Sequence, residues 1–236
     1  MQIAEIVVYV ILLIGGVWSY ATGKLTLAGS FTGGFIGYVI FKGGGLPCFV
    51  MLTFFFVIAS AATKLQHERK VVMNAGEQGK GRRTAVQVLA NGGIAALLAI
   101  WAWLQPEYLW LAQLMIAGSF AAATADTLSS ELGTVYGRRF YNIISLKKDT
   151  RGLDGVISIE GTLIGIAGAA AIALIYASFF GFNAWVFWIV LAGFTGNLVD
   201  SILGATLERK GLMGNNVVNF LNTITGAIIC WLLLLR

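Results

Sequence analysis

The feature that most constrains this chain is a repetition of apolar runs too long and too numerous for a water-soluble fold to hide. Eight stretches, roughly 3–21, 26–42, 46–63, 84–104, 108–128, 157–180, 184–207 and 216–235, are each long enough to cross a bilayer as a helix. Only 11% of the 236 residues are charged, where a soluble domain carries about 25%. Inside hydrocarbon every backbone N–H and C=O must be satisfied within the segment, which leaves helices as the solution for runs of this kind. The expected fold class is therefore all-α, a polytopic transmembrane bundle forming one domain over 1–236.

Thirty glycines against two prolines fit closely packed membrane helices. They gather in the second run at Gly29, Gly33, Gly34 and Gly37, so that run is read as either spanning or re-entrant. Cys48 and Cys230 have no metal or redox spacing, and the one histidine, His67, lies in a charged loop, which argues against thiolate or imidazole metal chemistry. The first residues lack the basic region of a signal peptide, so 6–20 are expected to belong to a retained helix.

Charge placement orients the bundle. With eight spans, fourteen of the sixteen lysines and arginines fall on one side, in the connections around 22–25, 64–83, 129–156 and 208–215. Lys42 and Arg236 alone fall on the other. The positive-inside rule makes the basic side cytoplasmic and places both termini on the non-cytoplasmic side.

Polar residues enter the spans at helical spacing, and only near the basic side. Arg83, Gln87 and Asn91 share one face, as do Ser158, Thr162 and Gly165. Gly193, Asn197, Asp200 and Gly204 form a third stripe, and Asn215, Asn219, Asn222 and Gly226 a fourth, while the fifth span carries Asp126 and Thr127 near its end. One such stripe is ordinary interhelical hydrogen bonding. Five at one depth predict a hydrated polar cavity, with Asp200 about 10 Å inside its span.

The chemistry these residues suit is phosphate handling. Asp126-Thr127-Leu128-Ser129-Ser130-Glu131 offers hard oxygen donors, and Arg151-Gly152-Leu153-Asp154-Gly155 leads to Ser158 at a helix start. Oxygen clusters without histidine or cysteine suit Mg²⁺. Arginine beside glycine at a helix N-terminus suits phosphate oxygens. No Walker P-loop occurs. A site at bilayer depth that opens to the cytoplasm could take a lipid phosphate from the side and a soluble nucleotide from below.

Four runs carry a family resemblance: Gly81-Arg82-Arg83 to Asn91-Gly92-Gly93; Gly118-Ser119 through Asp126-Thr127 to Ser130-Glu131-Leu132-Gly133; Arg151-Gly152 through Asp154-Gly155 and Ser158 to Gly161-Thr162; and Gly196 through Asp200-Ser201 to Gly204-Ala205. With Asn215-Asn216 to Asn219 they resemble, in order over 64–222, the DUF92 family, which includes the human TMEM19 protein and plant phytyl-phosphate kinase. The resemblance implies phosphorylation of an isoprenoid monophosphate to the diphosphate, with kinship to CTP-dependent lipid kinases and CDP-lipid synthases. Where a Gly-Thr-x-Gly-like stretch is expected, this chain has Arg151 to Gly155, which adds a carboxylate.

The resulting expectation is Mg²⁺-dependent phosphoryl transfer from a nucleoside triphosphate, CTP favoured, to a phytyl or polyprenyl phosphate at the cytoplasmic face of a prokaryotic plasma membrane. Asp126, Glu131, Asp154 and Asp200 would hold metal, with Asp126, Asp200 and Arg151 acting in catalysis. Lys80, Arg82 and Arg83 would bind phosphates together with Ser130, Gly155 and Ser158, and Asn91, Asn215, Asn216 and Asn219 would position phosphate or base. Glu131 joins the site only if its helix ends near Ser129, because five residues of helix turn it about 140° from Asp126. The expected partners are the bilayer, the isoprenoid phosphate and the nucleotide; self-association is left open, and nucleic acid is not among them. Two rivals stand beside this reading: a transporter or flippase for a lipid phosphate or organic anion, and a CDP-lipid-forming nucleotidyltransferase. Almost purely apolar outer halves favour the enzyme over the transporter.

Overall fold

A computed structural model describes residues 3–72 and 82–232, the side chains at 4 and 66–72 excepted. The helices are α1 (Ile3–Ala21), α2 (Leu27–Val72), α3 (Ala85–Leu104), α4 (Leu109–Tyr136), α5 (Ile159–Phe180), α6 (Ala184–Leu203) and α7 (Asn215–Leu232). A π-helical turn, Gly204–Glu208, extends α6, and two-residue strands β1 (Tyr141–Asn142) and β2 (Val156–Ile157) pair antiparallel in the α4–α5 connection. Among the described residues, five stretches are long and apolar enough to cross a membrane: Leu27–Leu65, Ala85–Leu104, Pro106–Tyr136, Ile159–Phe180 and Ala184–Glu208. The chain is a polytopic all-α membrane protein.

α2 is two arms rather than one rod. Gly45 has φ 74° and ψ −171°, open to glycine and hostile to other residues, and the helix folds back there. A Cβ on Gly37 would lie 3.6 Å from Leu52 Cδ2, and the rings of Phe41 and Phe49 are 6.0 Å apart. A straight helix would separate residues 37 and 52 by about 22 Å. The first arm runs the full height of α1. It packs against Arg83 at one end through Gly29, and at the other Lys42 Nζ reaches Glu5 Oε1 at 3.2 Å.

α4 is the axle. Most of its residues from Ala112 to Leu128 are buried, and α2, α3, α5, α6 and α7 all pack on it. Small residues permit this. A side chain at Gly118 would run into the Gly226 backbone of α7, one at Gly168 into Leu128 and Thr124, and one at Gly193 into Ala169 and Ala121.

The two ends of the bundle differ. Among residues whose side chains are described, every lysine and arginine except Lys42 stands at the end formed by 22–26, 82–84, 137–158 and 204–214. The opposite end is aromatic, with Trp101 stacked on Tyr108 and Trp110 edge-on to Trp185. Lys80 and Arg236 lie outside the described residues.

Candidate functional site

The basic end encloses a polar cavity of about 420 Å³. It is walled by the loop-side ends of α3 to α7, by Thr63 of α2, and by the lip formed from 137–158. The polar stripes divide by depth. Asn91, Thr127, Thr162, Asn197 and Asn219 line the cavity. Deeper members hold helices together: Asn222 Nδ2 donates to Ala122 O at 3.4 Å, and Gly226 packs on Gly118.

Asp126 of α4 and Asp200 of α6 meet in this lining, their carboxyl groups within hydrogen-bonding range of each other. The two residues lie 74 positions apart in the chain and come together because α6 packs along α4. Asp200 Oδ2 is buried and has no protein donor against it. Two carboxylates so placed require a shared proton or a cation between them. The negative fields of Asp154 and Glu208 also reach Asp200. Beside the pair, Ser129 Oγ donates to Asn197 Oδ1 at 2.9 Å, fixing α4 to α6 one turn away.

On the other flank, Arg83 Nη2 donates to Thr63 Oγ1 at 3.3 Å, and Thr63 Oγ1 donates to Glu131 Oε1 at 3.0 Å. Burial holds the Arg83 guanidinium below its ordinary value, and the charge of Glu131 opposes that shift. The arginine is positioned by its backbone: its N–H donates to Lys24 O at 2.9 Å, and its C=O accepts from Thr26 N at 3.1 Å. Directly after it, Thr84 and Gln87 form a capping box that starts α3.

The lip is docked on the end of α6. Gly155 has φ 68°, and any side chain there would overlap the Ala205 backbone in the π turn. Arg209 clamps the same contact. It donates through Nε to Asp154 O and pairs with Asp149 Oδ2 at 2.8 Å. The Thr150 N–H, and then Arg209, hold the Asp149 carboxyl below its ordinary pKa. A depressed carboxylate pKa adds stability above the unfolded value, and that stability is lost as pH falls through the lower folded value. Acidification below about pH 4 is therefore expected to loosen the lip, read as lower amide protection over 143–157 after correction for the intrinsic exchange rate at each pH. Asp149→Asn should exchange faster at neutral pH and lose most of that pH dependence.

The expected site residues separate clearly. Arg82, Arg83, Asn91, Asp126, Ser130, Glu131, Asp154, Gly155, Ser158, Asp200, Asn215 and Asn219 all line the cavity. Lys80 lies outside the described residues. Arg151 and Asn216 are not in the lining; Arg151 is exposed on the lip, 5.8 Å from the Phe140 ring, because the tight turn at Gly152 carries it outward. Ser158 is the N-cap of α5, its Oγ accepting from Gly161 N at 3.0 Å, which accounts for a serine there without a ligand.

The four expected metal carboxylates do not form one cluster. Among the described residues no three acidic, histidine or cysteine side chains close into a ready ligand set. Glu131 turns to Thr63 and Arg83, and Asp154 sits on the lip. α4 does not end near Ser129 either. It runs to Tyr136, and Glu131 still lines the cavity, because the cavity wraps around α4 towards α2. Glu208 and Thr63 were not anticipated. In an unbroken α-helix Glu208 would point about 80° away from Asp200; the π turn, closed by Arg209 N to Gly204 O, widens the spiral and returns it to the site.

Comparison with known proteins identifies the family. The family model described as integral membrane protein DUF92 matches residues 10–227. An uncharacterized membrane protein of Methanocaldococcus jannaschii, MJ0933, is 36% identical over 194 residues, covering 82% of this chain and 79% of that one. The uncharacterized membrane protein sll0875 of Synechocystis is 33% identical over 199 residues, covering 82% and 76%. Protein VTE6, chloroplastic, of Arabidopsis thaliana is 33% identical over 208 residues, covering 84% of this chain and 62% of the plant protein. No solved structure matches. The chain belongs to the DUF92 family of integral membrane proteins.

Proposed function

We propose that the protein transfers the terminal phosphoryl group of a nucleoside triphosphate, CTP favoured, to a phytyl or polyprenyl monophosphate at the basic end of the bundle. By the positive-inside rule that end faces the cytoplasm of a prokaryotic cell. The carrying observation is the Asp126–Asp200 pair in a cavity lined by five carboxylates and, among the described residues, two cationic side chains, Arg82 and Arg83. A lining this acidic repels phosphates unless cations enter with them. Its hard oxygen donors and the unpaired Asp200 Oδ2 fit Mg²⁺, which commonly uses one or two protein carboxylates plus phosphate oxygens and water. Asp126 and Asp200 would hold it, and its chemistry there is charge neutralisation and polarisation of the transferring phosphate.

The chain's own residues bind and orient. A lipid phosphate oxygen attacks the terminal phosphorus, the bond from that phosphorus to the bridging oxygen breaks, and a nucleoside diphosphate leaves. Between fully ionised phosphates no proton is gained or lost, so neither a protein nucleophile nor a general base is required. Arg83, braced by Thr63 and by its backbone bonds, is placed to offset charge on equatorial oxygens. The lip, held by Arg209 and Gly155, limits water at the cavity mouth.

The test is direct. Purified protein with Mg²⁺, each of the four nucleoside triphosphates in turn, and farnesyl or phytyl phosphate should give lipid diphosphate and nucleoside diphosphate, fastest with CTP. A CDP-lipid with pyrophosphate would assign nucleotidyl transfer instead. Lipid phosphate moving across vesicles with no new product would assign transport.

A further inference from the structure

A second cavity, of about 150 Å³, opens between α1, the two arms of α2 and the start of α3. Its lining is apolar, with Leu12, Ile36 and Phe55 prominent. α1 and the first arm touch farther from the basic end, where Leu12 Cδ2 would lie 2.5 Å from a Cβ on Gly37. They rejoin at the 22–26 turn. Between those points they stand apart, leaving a window edged by Gly15, Gly16, Gly33 and Gly34.

Glycines facing each other on membrane helices ordinarily mark tight packing. Here they do not. A Cβ at Gly15, Gly16 or Gly34 would meet nothing within 4 Å. The space is therefore not used by the protein's own packing. It also adjoins the polar cavity: Arg83, Gln87 and Asn91, one face of α3, line both. Asn91 Oδ1 at this junction and Ser30 Oγ in the groove are buried without a hydrogen-bond partner. An apolar groove that meets a cation-bearing polar cavity at a shared arginine has the layout of a single amphipathic ligand.

We infer that the α1–α2 groove seats the phosphate-proximal isoprene unit of the lipid substrate, with its phosphate beside Arg83 and the rest of its chain passing through the glycine window into the bilayer. This rests on the proposed reading of the polar cavity as a lipid-phosphate site. The size sets the length: a 150 Å³ apolar cavity holds about one benzene-sized group, close to one five-carbon unit. Lipid tails are as apolar as the groove, so it selects by shape rather than by hydrophobicity. A branched, flat isoprene unit is held, and carbons beyond it are read weakly.

The experiment pairs turnover with photo-crosslinking. Gly16→Leu and Gly34→Leu place a side chain where there is room for one, so the fold is retained while the groove is filled. KM for farnesyl phosphate should rise about tenfold in each, with KM for the nucleotide unchanged. In the unaltered protein, KM should fall from methyl phosphate to dimethylallyl phosphate and change less than threefold from geranyl to phytyl phosphate. A farnesyl phosphate analogue with a diazirine in its first isoprene unit should label 11–19 or 30–36, competed by farnesyl phosphate and not by farnesol. Turnover with labelling elsewhere, or labelling competed equally by bulk phospholipid, would overturn the groove and leave the phosphoryl-transfer reading standing. Labelling in the groove without turnover would overturn that reading and keep the lipid-phosphate seat. Neither turnover nor labelling would remove both.

Discussion

Asp200→Asn is expected to lower phosphoryl transfer by about 100- to 1000-fold, the size of loss seen when one group that stabilises developing charge is removed, while the protein melts at the same temperature or higher. The two halves of this expectation have one cause. Asp200 lies against Asp126 with one buried oxygen that no donor satisfies. Such a carboxylate weakens the empty fold, since facing like charges in a poorly solvated site are costly. The asparagine amide can donate an N–H to Asp126, which relieves the conflict but leaves a neutral group where a cation must be held. Asp126→Asn should behave alike, and the double variant should lose little more than either single one, because the pair acts as a unit. Turnover at saturating substrate and a thermal melt in the same detergent decide it. Lost turnover together with a melting point lowered by more than about 5 °C would mark the pair as a structural contact and sink the metal-holding role.

Gly155→Val should also cost activity, by a different route. The position has φ 68°, which a β-branched residue tolerates poorly, and its Cβ would overlap the Ala205 backbone. Strain and overlap together are worth about 2–4 kcal/mol, more than one exposed clamp such as Arg209–Asp149 returns. The lip should therefore lift from α6, taking Asp154 out of the cavity and opening the mouth to water. Turnover should fall at least about tenfold, and trypsin should cut rapidly after Lys147, Lys148 or Arg151. The helices should remain assembled, because α2, α3, α5, α6 and α7 pack directly on α4. Full activity with an intact lip would show that this turn does not govern the site.

How much of this was legible in the sequence depends on range. Apolar length and basic-loop placement gave the helices and the charged end, because both follow from the cost of burying charge in hydrocarbon. Helical spacing gave the convergence of Asp126, Asn197 and Asp200, since a polar face inside a membrane span has few places to point. The same spacing overreached at Asn222, which serves packing. Ser129, Ser130 and Glu131 look like the end of a helix, yet α4 continues through them, with Ser129 bonded to Asn197 of α6, Glu131 to Thr63 of α2, and Ser130 back to Thr127 O. The Thr84 and Gln87 capping box that starts α3 came from the structure. Glu208 was not readable, because its direction depends on a π turn set by tertiary contact with the lip. Arg151 misled because loop residues carry no periodicity to say which way they face.

The arrangement around α4 has a consequence for biogenesis. Of the five stretches able to span, Pro106–Tyr136 is the least apolar, and it carries Gln113 and Asp126. An aspartate within a span opposes insertion, by about 2.5–3.5 kcal/mol at the helix centre and by less towards its end. The helix least suited to entering lipid by itself is thus the one on which the others converge. Some of its polar groups meet α2, made before it: Gln113 donates to Gly44 O, and Glu131 accepts from Thr63. Others meet later-made segments: Asn197 for Ser129, Asp200 for Asp126, and Asn222 for the Ala122 carbonyl. The polar lining of α4 is thus completed in two stages of the chain, first by α2 and then by α6 and α7.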